Sequence, residues 1–176
     1  MNKTGFTLVE VLTVVVIIAV LTSIALPKYA RAIERSRATE AMVSIKALND
    51  AVYAYYVDKG TCPRKFSLLI VTLPLIDGSS MSERVVSTKF FTFTLDAVNV
   101  PYIPGTECRG TLAKRRNGGK YYYGIYNPYQ PINGQASSLA CTPVGGTADQ
   151  RAASIEICES LGMSVPNIFS LDLTND

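Results

Sequence analysis

The sequence predicts an α+β fold: one long amino-terminal helix, kinked at Pro27, whose second half packs on an antiparallel sheet of three to four strands. Three observations lead there. The first is an apolar run from Phe6 to Leu26, 21 residues in which Glu10 is the only ionisable side chain. The second is a helical periodicity that carries on past Pro27 to about Asp58. The third is a pair of tyrosine- and threonine-rich stretches between Phe91 and Tyr126 that alternate or sit beside tight-turn residues, as strands do.

A run of about 20 apolar residues is long enough to cross a bilayer as a helix. Within it, a lone carboxylate such as Glu10 costs about 2.5–3.5 kcal/mol or more at full depth and calls for a partner. No Lys, Arg or His lies between Thr4 and Pro27, so no cation is available locally. A cut between Gly5 and Phe6 would create an α-ammonium four residues before Glu10, and that amine could face the Glu10 of a neighbouring copy. A cleaved secretory signal or a plain signal anchor is the ordinary alternative. A cleaved signal wants a small-residue site after roughly 7–15 apolar residues, whereas this run is longer and flows past Pro27 into more helix.

Beyond Pro27, Ile33, Ala38, Ala41, Ile45, Leu48, Val52 and Tyr55 form one stripe. Arg31, Glu34, Arg35, Glu40, Lys46, Asn49 and Asp50 fill the other side. Glu34–Arg37 and Lys46–Asp50 are helix-spaced opposite charges worth a few tenths of a kcal/mol each. The helix then spans roughly 80 Å, far more than a bilayer, so half of it must project and pack on something. Pro27 has no N–H and crowds the preceding turn, which predicts a kink. Lys59-Gly60 ends the helix. Residues 61–83 connect, with an apolar piece at 66–73 that is either a short helix or an extended cover, and a turn at 77–80. Residues 91–95 alternate strictly and read as a half-buried strand; residues 108–116 are a weaker strand. Asn117-Gly118 is a tight-turn signal, and 120–126 follow as a strand. After Pro128 and Pro131 comes a polar loop. Thr147 to Gln150 resembles a capping box, so a short helix is expected from 148 to 161, ending at Gly162. The tail from 165 lies along the sheet or dangles.

At 176 residues the chain suits one compact domain plus an anchor, and 17 basic against 14 acidic residues imply no polyanionic partner. The absence of His excludes His-based acid–base catalysis and speaks against a catalytic zinc. The four cysteines show no CxxC spacing, so a metal cluster is disfavoured. In a domain outside the cytoplasm they would form two disulfides. Asp172, Asn175 and Asp176 match no calcium loop, and no catalytic motif is present, so neither metal, cofactor nor enzyme activity is expected. The Tyr121–Tyr123 and Tyr53–Tyr56 clusters are either contact surfaces or, more commonly, the margin of a core. Lys114, Arg115, Arg116 and Lys120, with Arg109, make a stretch without acids that could bind DNA phosphates, or simply form a solvated hairpin tip. Charge conflicts with topology at one point. Lys3 alone precedes the run, while Lys28, Arg31, Arg35 and Arg37 follow it, and the positive-inside rule would keep that side in the cytoplasm.

The stretch Gly5-Phe6-Thr7-Leu8-Val9-Glu10, with the unbroken apolar run behind it, closely resembles the amino-terminal signature of type IV pilins and their pseudopilin relatives. Counting Phe6 as the first mature residue, Glu10 falls fifth, Pro27 twenty-second and Tyr29 twenty-fourth, as in that family. The resemblance is specific through Arg37 and thematic beyond it. It implies a leader at 1–5, removed by a prepilin peptidase that cuts after Gly5, with methylation of the Phe6 amine. Residues 6–27 would be the transmembrane and assembly half of the helix, and 28–176 the globular head. The subunit would sit in the inner membrane as a single-pass protein, head outside the cytoplasm. It would then be polymerised by inner-membrane machinery into a helical homopolymer, an extracellular filament in which Glu10 fixes register. The alternatives are a pseudopilin of a type II secretion system, a signal-anchored DNA-uptake protein, and, least in keeping with the missing motifs, a membrane-tethered enzyme. Four cysteines allow three pairings, and sequence alone does not choose. Placement favours Cys141–Cys158 and Cys62–Cys108, and the resemblance supports the first, since many type IV pilins close a carboxyl-terminal loop with a disulfide.

Overall fold

Helix α1 runs from Leu8 to Lys59 as one element of 52 residues, roughly 78 Å long. It belongs to a computed structural model that describes residues 7–76, 81, 83–97, 100, 103, 105–116, 119–126, 139–163 and 165. Thr7 caps its start, and Gly60 ends it in the left-handed region (φ 68°), donating its N–H to the Tyr56 carbonyl. Pro27 lies inside the helix. Its ring nitrogen cannot serve the Ser23 carbonyl, so one rung of the ladder is missing there.

The two halves of α1 differ completely. Up to Arg31 every described residue is exposed. From there on, Glu34, Ala38, Ala41, Ile45, Leu48, Asn49 and Val52 are buried, and they follow the spacing of one helical face. That face packs on the sheet and on α2 (Ala148–Ser160). Two residues had been expected on the solvent side: Glu34 and Asn49 belong to the buried stripe instead.

Among the described residues the sheet has five antiparallel strands in simple meander order, not three or four: β1 (Val85–Ser87), β2 (Phe91–Thr94), β3 (Leu112–Arg115), β4 (Tyr123–Tyr126) and β5 (Ala140–Pro143). The additional strands are the two edges. They are three and four residues long, too short to show an alternation, and Pro143 is tolerated because it ends an edge strand. Register places Val86, Phe93, Ala113, Ile125 and Cys141 in one row across all five strands. All five side chains are buried in the same core as the α1 stripe. The opposite pleat carries a second, smaller cluster built on Leu112, Tyr126 and Ala140, with Val144, Ala97 and Val100. Between α1 and β1 the described residues make a 3-10 turn, Phe66–Leu68, and an isolated bridge from Leu75 to Thr88, with the Phe66 side chain inside the main core.

Helix α2 starts at the expected capping box: Thr147 Oγ1 accepts from the Gln150 N–H while the Gln150 carboxamide accepts from the Thr147 N–H. Its Ser154 Oγ accepts the Tyr122 N–H at 2.9 Å, which ties it to the lead-in of β4. Gly5, Phe6, the turns at 77–80 and 117–118, the polar loop at 127–138 and the tail from 166 lie outside the described residues.

Candidate functional site

Two features of α1 stand apart from ordinary folding of a head domain. The first is its amino-terminal half. Leu8, Val9, Val11, Leu12, Val14, Val15, Val16, Ile17, Ile18, Val20, Leu21, Ile24 and Leu26 are all more than half exposed. They surround the helix instead of lining one face, the pattern of a span or of a helix buried among others. At about 1.5–3 kcal/mol for each such side chain fully removed from water, and with these side chains a little over half exposed, the gross driving force for covering them is on the order of 10–20 kcal/mol. Among the described residues no head contact covers them, which leaves lipid or other chains to do so.

Glu10 is the polar exception, and the structure gives it a local role that had not been expected. It is the third residue of α1, and its carboxylate turns back to the cap. Its Oε2 accepts from the Thr7 N–H at 2.8 Å and from the Thr7 hydroxyl at 2.7 Å, while Thr7 Oγ1 accepts the Glu10 N–H at 3.3 Å. The sequence signal was present: a Thr three residues before a Glu at the head of an apolar run is a capping box. A carboxylate satisfied in this way is less costly to carry into lipid than a bare one.

The second feature is the joint between helix and head. Glu34, 2 % exposed, lies two turns beyond the apolar half and receives four donors. Arg115 grips it with one edge of its guanidinium, Nε to Oε1 at 2.6 Å and Nη2 to Oε2 at 3.0 Å. The Tyr123 hydroxyl donates to Oε1 at 2.8 Å, and Arg37 Nη1 to Oε2 at 3.2 Å. Arg115 Nη1 donates to the carbonyls of Phe90 and Arg116. Phe90 in turn lies under the Arg37 guanidinium at 4.3 Å. Burial pushes the Glu34 carboxyl up, but the Arg115, Tyr123 and Arg37 contacts outweigh it and hold the group below the usual carboxylate range. Burial first, and then the adjacent Glu34 charge, push the Tyr123 phenol far above its ordinary value. A buried carboxylate with a bidentate Arg and a full set of donors is a specific fastener, not a surface pair. Further along the helix, Asn49 Oδ1 accepts the Thr111 N–H at 2.9 Å, a second polar tie to the chain entering β3.

This arrangement removes Arg115 from the stretch expected to offer charges to DNA phosphates. Strand alternation turns Arg115 towards α1, leaving it 4 % exposed and committed to Glu34, so it offers nothing to a phosphate. Arg116 donates to the Thr88 carbonyl, and the Lys114 ammonium lies 5.8 Å from the Tyr122 ring. Lys120 is exposed. Lys114 and Arg115, neighbours on β3, face opposite sides of the sheet. The tyrosines also divide: Tyr123 and Tyr126 are core residues, and burial pushes the Tyr126 phenol up to about 12, whereas Tyr53 is exposed.

The cysteines are bonded as Cys62–Cys108 and Cys141–Cys158, with Cα–Cα separations of 5.3 and 5.5 Å. The first ties the end of α1 to the approach of β3; the second ties β5 to α2.

Comparison with known proteins agrees with this geometry. Residues 1–26 match a family model described as the prokaryotic N-terminal methylation motif. The chain is 29 % identical to the type IV major pilin protein PilE of Neisseria gonorrhoeae over 140 residues, 78 % of this chain and 81 % of that protein. With another type IV major pilin protein of the same organism it shares 30 % identity over 125 residues, 68 % of this chain and 73 % of that protein. The fimbrial protein EcpC of Eikenella corrodens is 44 % identical over 59 residues, 34 % of this chain and 39 % of that protein. With the methylation motif at its start, an apolar helix left bare and a head built on the rest of that helix, this chain belongs to the type IV pilin family.

Proposed function

We infer that the chain is a structural subunit of a type IV pilus, made as a membrane-anchored precursor and polymerised through α1. The observation that carries this reading is the helix itself. Its first half is apolar on every side and uncovered, and its second half is locked into a head. A subunit of this form reaches its final state when the bare halves pack together in a bundle and the heads face outwards. The relatives matched over most of their length are major pilins and fimbrial proteins, which favours a pilus over a secretion pseudopilin.

In this reading a prepilin peptidase cuts between Gly5 and Phe6 and the Phe6 amine is methylated. Residues 6–27 form the assembly half and 28–176 the head. Glu10 of one subunit pairs with the Phe6 amine of the next and sets axial register, exchanging its Thr7 contacts for a charged partner. Pro27, with its missing rung, is where α1 bends so that the head can tilt against the filament axis. The head lies outside the cytoplasm, where two disulfides can persist, before the subunit enters an extracellular filament.

Shearing cells and analysing the released material tests the reading. The expected result is filaments whose subunits have the mass of residues 6–176 with one N-methyl group and two disulfides. Filaments built of chains retaining Met1–Gly5, or the protein confined to the membrane under conditions of piliation, would sink it.

A further inference from the structure

Four cations follow the apolar run, on the side of the span that the positive-inside rule would leave poor in them. Two have work inside the head. Arg37 holds Glu34, and Arg35 donates to the Ser160 carbonyl at 2.9 Å, at the carboxyl-terminal end of α2 where the helix dipole is negative. The other two, Lys28 and Arg31, stand three residues apart on one face of α1 and line a groove of about 290 Å³ between α1 and α2, with Ala32, Arg35, Glu156 and Ile157. Arg31 Nη1 lies 2.8 Å from Glu156 Oε1, yet the side chain remains 51 % exposed, so the pair steadies the guanidinium without using it up.

The height of this groove is set by the helix. Leu8 to Leu26 covers about 28 Å, which matches a hydrocarbon core of about 30 Å. With that segment in the bilayer, Lys28 stands about 3 Å and Arg31 about 7.5 Å beyond the hydrocarbon edge, within and at the outer limit of a headgroup layer about 5–7 Å thick. Tyr29, 65 % exposed, falls at the same level, where aromatic belts sit.

We propose that Lys28 and Arg31 hold the phosphate of an anionic phospholipid headgroup in this groove while the subunit resides in the membrane. The proposal rests on the membrane-anchored precursor inferred above. The Lys28 ammonium supplies a point charge, and the free edge of the Arg31 guanidinium supplies directed donors, the two complementary ways of holding a phosphate. Arg35 is a positioning residue: its bond to Ser160 keeps the end of α2 against α1 and so forms the far wall of the groove. Lipid phosphate is then the counter-charge that makes basic residues acceptable on this side of the span. On entry into a filament the headgroup must be left behind.

The test uses full-length subunit reconstituted, unassembled, in phosphatidylcholine vesicles carrying a minor fraction of spin-labelled phosphatidylglycerol or phosphatidylcholine. The fraction of motionally restricted label is read by electron paramagnetic resonance. Phosphatidylglycerol should be retained preferentially. The Lys28→Gln/Arg31→Gln variant should lose about fivefold of that preference per cation removed. A Lys46→Gln/Lys65→Gln control takes the same charge from exposed positions on the head and should leave the preference intact. Equal retention of both lipids by the wild-type protein, or a double variant within twofold of it, overturns the proposal. Displacement of the preference by inorganic phosphate at constant ionic strength would also overturn it, by making the groove a site for soluble anions. Because the readout is taken on membrane-resident monomers, loss of filaments in any variant bears on the pilus reading and not on this one.

Discussion

Replacing Arg115 by alanine takes two hydrogen bonds away from a carboxylate that is 2 % exposed. Removing one partner of a buried pair costs about 3–5 kcal/mol, because the charge left behind has neither water nor counter-ion. Here the lower end applies, since Arg37 and Tyr123 still hold Glu34 at 3.2 and 2.8 Å. A loss of about 3 kcal/mol in a protein of this size lowers the melting temperature by about 6–12 °C. The assay is thermal melting of the oxidised full-length protein in detergent, followed by the near-ultraviolet circular dichroism of its tyrosines, which reports the head rather than the apolar helix. Lys114→Ala, on the neighbouring position of the same strand but the opposite pleat, should change stability by less than about 1 kcal/mol. The double change Glu34→Leu/Arg115→Met tests the mechanism: replacing a buried pair by apolar residues of similar volume is often close to neutral, so it should recover much of the loss. A melting temperature for Arg115→Ala within 2 °C of wild type would show that Glu34 is solvated and that the joint is held by apolar packing alone. A double variant as unstable as the single would assign the loss to packing of the arginine stem instead of the stranded charge.

Other outcomes follow from the same contacts. Because the Glu34 carboxyl is held below its usual value of 4.5, its contribution is complete above that value and is lost as pH falls through the depressed one; acid titration should show the head losing stability below about pH 4.5, and Glu34→Gln should flatten that limb. Non-reducing peptide mapping should return Cys62–Cys108 and Cys141–Cys158, whose sequence separations of 46 and 17 correspond to about 4 and 3 kcal/mol by chain entropy; a peptide joining Cys62 to Cys141 would refute the topology. Glu10→Val should leave membrane insertion intact, since it removes a costly group from an apolar span, yet reduce filament yield; normal yield would remove Glu10 from any role in register.

The α+β class, the long helix and its end at Gly60, three of the strands and the second helix were readable from sequence because each has a local cause. An apolar run, a period of 3.6, an alternation and a capping box are properties of adjacent residues. What was not readable depends on partners distant along the chain. Glu34 looked like half of a surface pair with Arg37, because that partner lies three residues away, whereas Arg115 lies 81 residues away. The spacing nevertheless held a clue: Glu34, Ala38, Ala41, Ile45, Leu48 and Val52 recur at four, three, four, three and four, so Glu34 continues the buried stripe better than Ile33 does. Arg115 was hidden among its basic neighbours, since only strand phase relative to Ala113 separates it from Lys114. The edge strands were missed for a different reason, their pairing being imposed by β2 and β4 rather than by their own residues.

The position of the Glu34 joint explains why a costly polar cluster sits in an otherwise apolar core. In the filament proposed above, with the apolar half of α1 packed at its centre, force would enter each subunit through that half and leave it through the head. The first residues at which helix and sheet are bound to each other after Leu26 therefore carry that load first. Ala38, Ala41 and Ile45 meet the sheet through apolar contacts that resist separation but slide with little penalty, because the hydrophobic effect has no direction. Arg115 and Glu34 resist sliding, since a bidentate pair keeps its energy only in one relative placement of the two groups. Arg115 is itself anchored by the carbonyls of Phe90 and Arg116, so displacement of α1 along its axis would strain β3 and the turn before β2 together. Among the described residues, Asn49 is a further fixed polar point on the helix, four turns on, and the Cys62–Cys108 bond follows just past the helix end. Among the described residues, axial load on α1 is thus taken by directional ties spaced along the head, Arg31 and Arg35 to α2, Glu34 to the sheet, then Asn49 and the disulfide, with slippery packing between them, and the Glu34 tie is the one with the most hydrogen bonds.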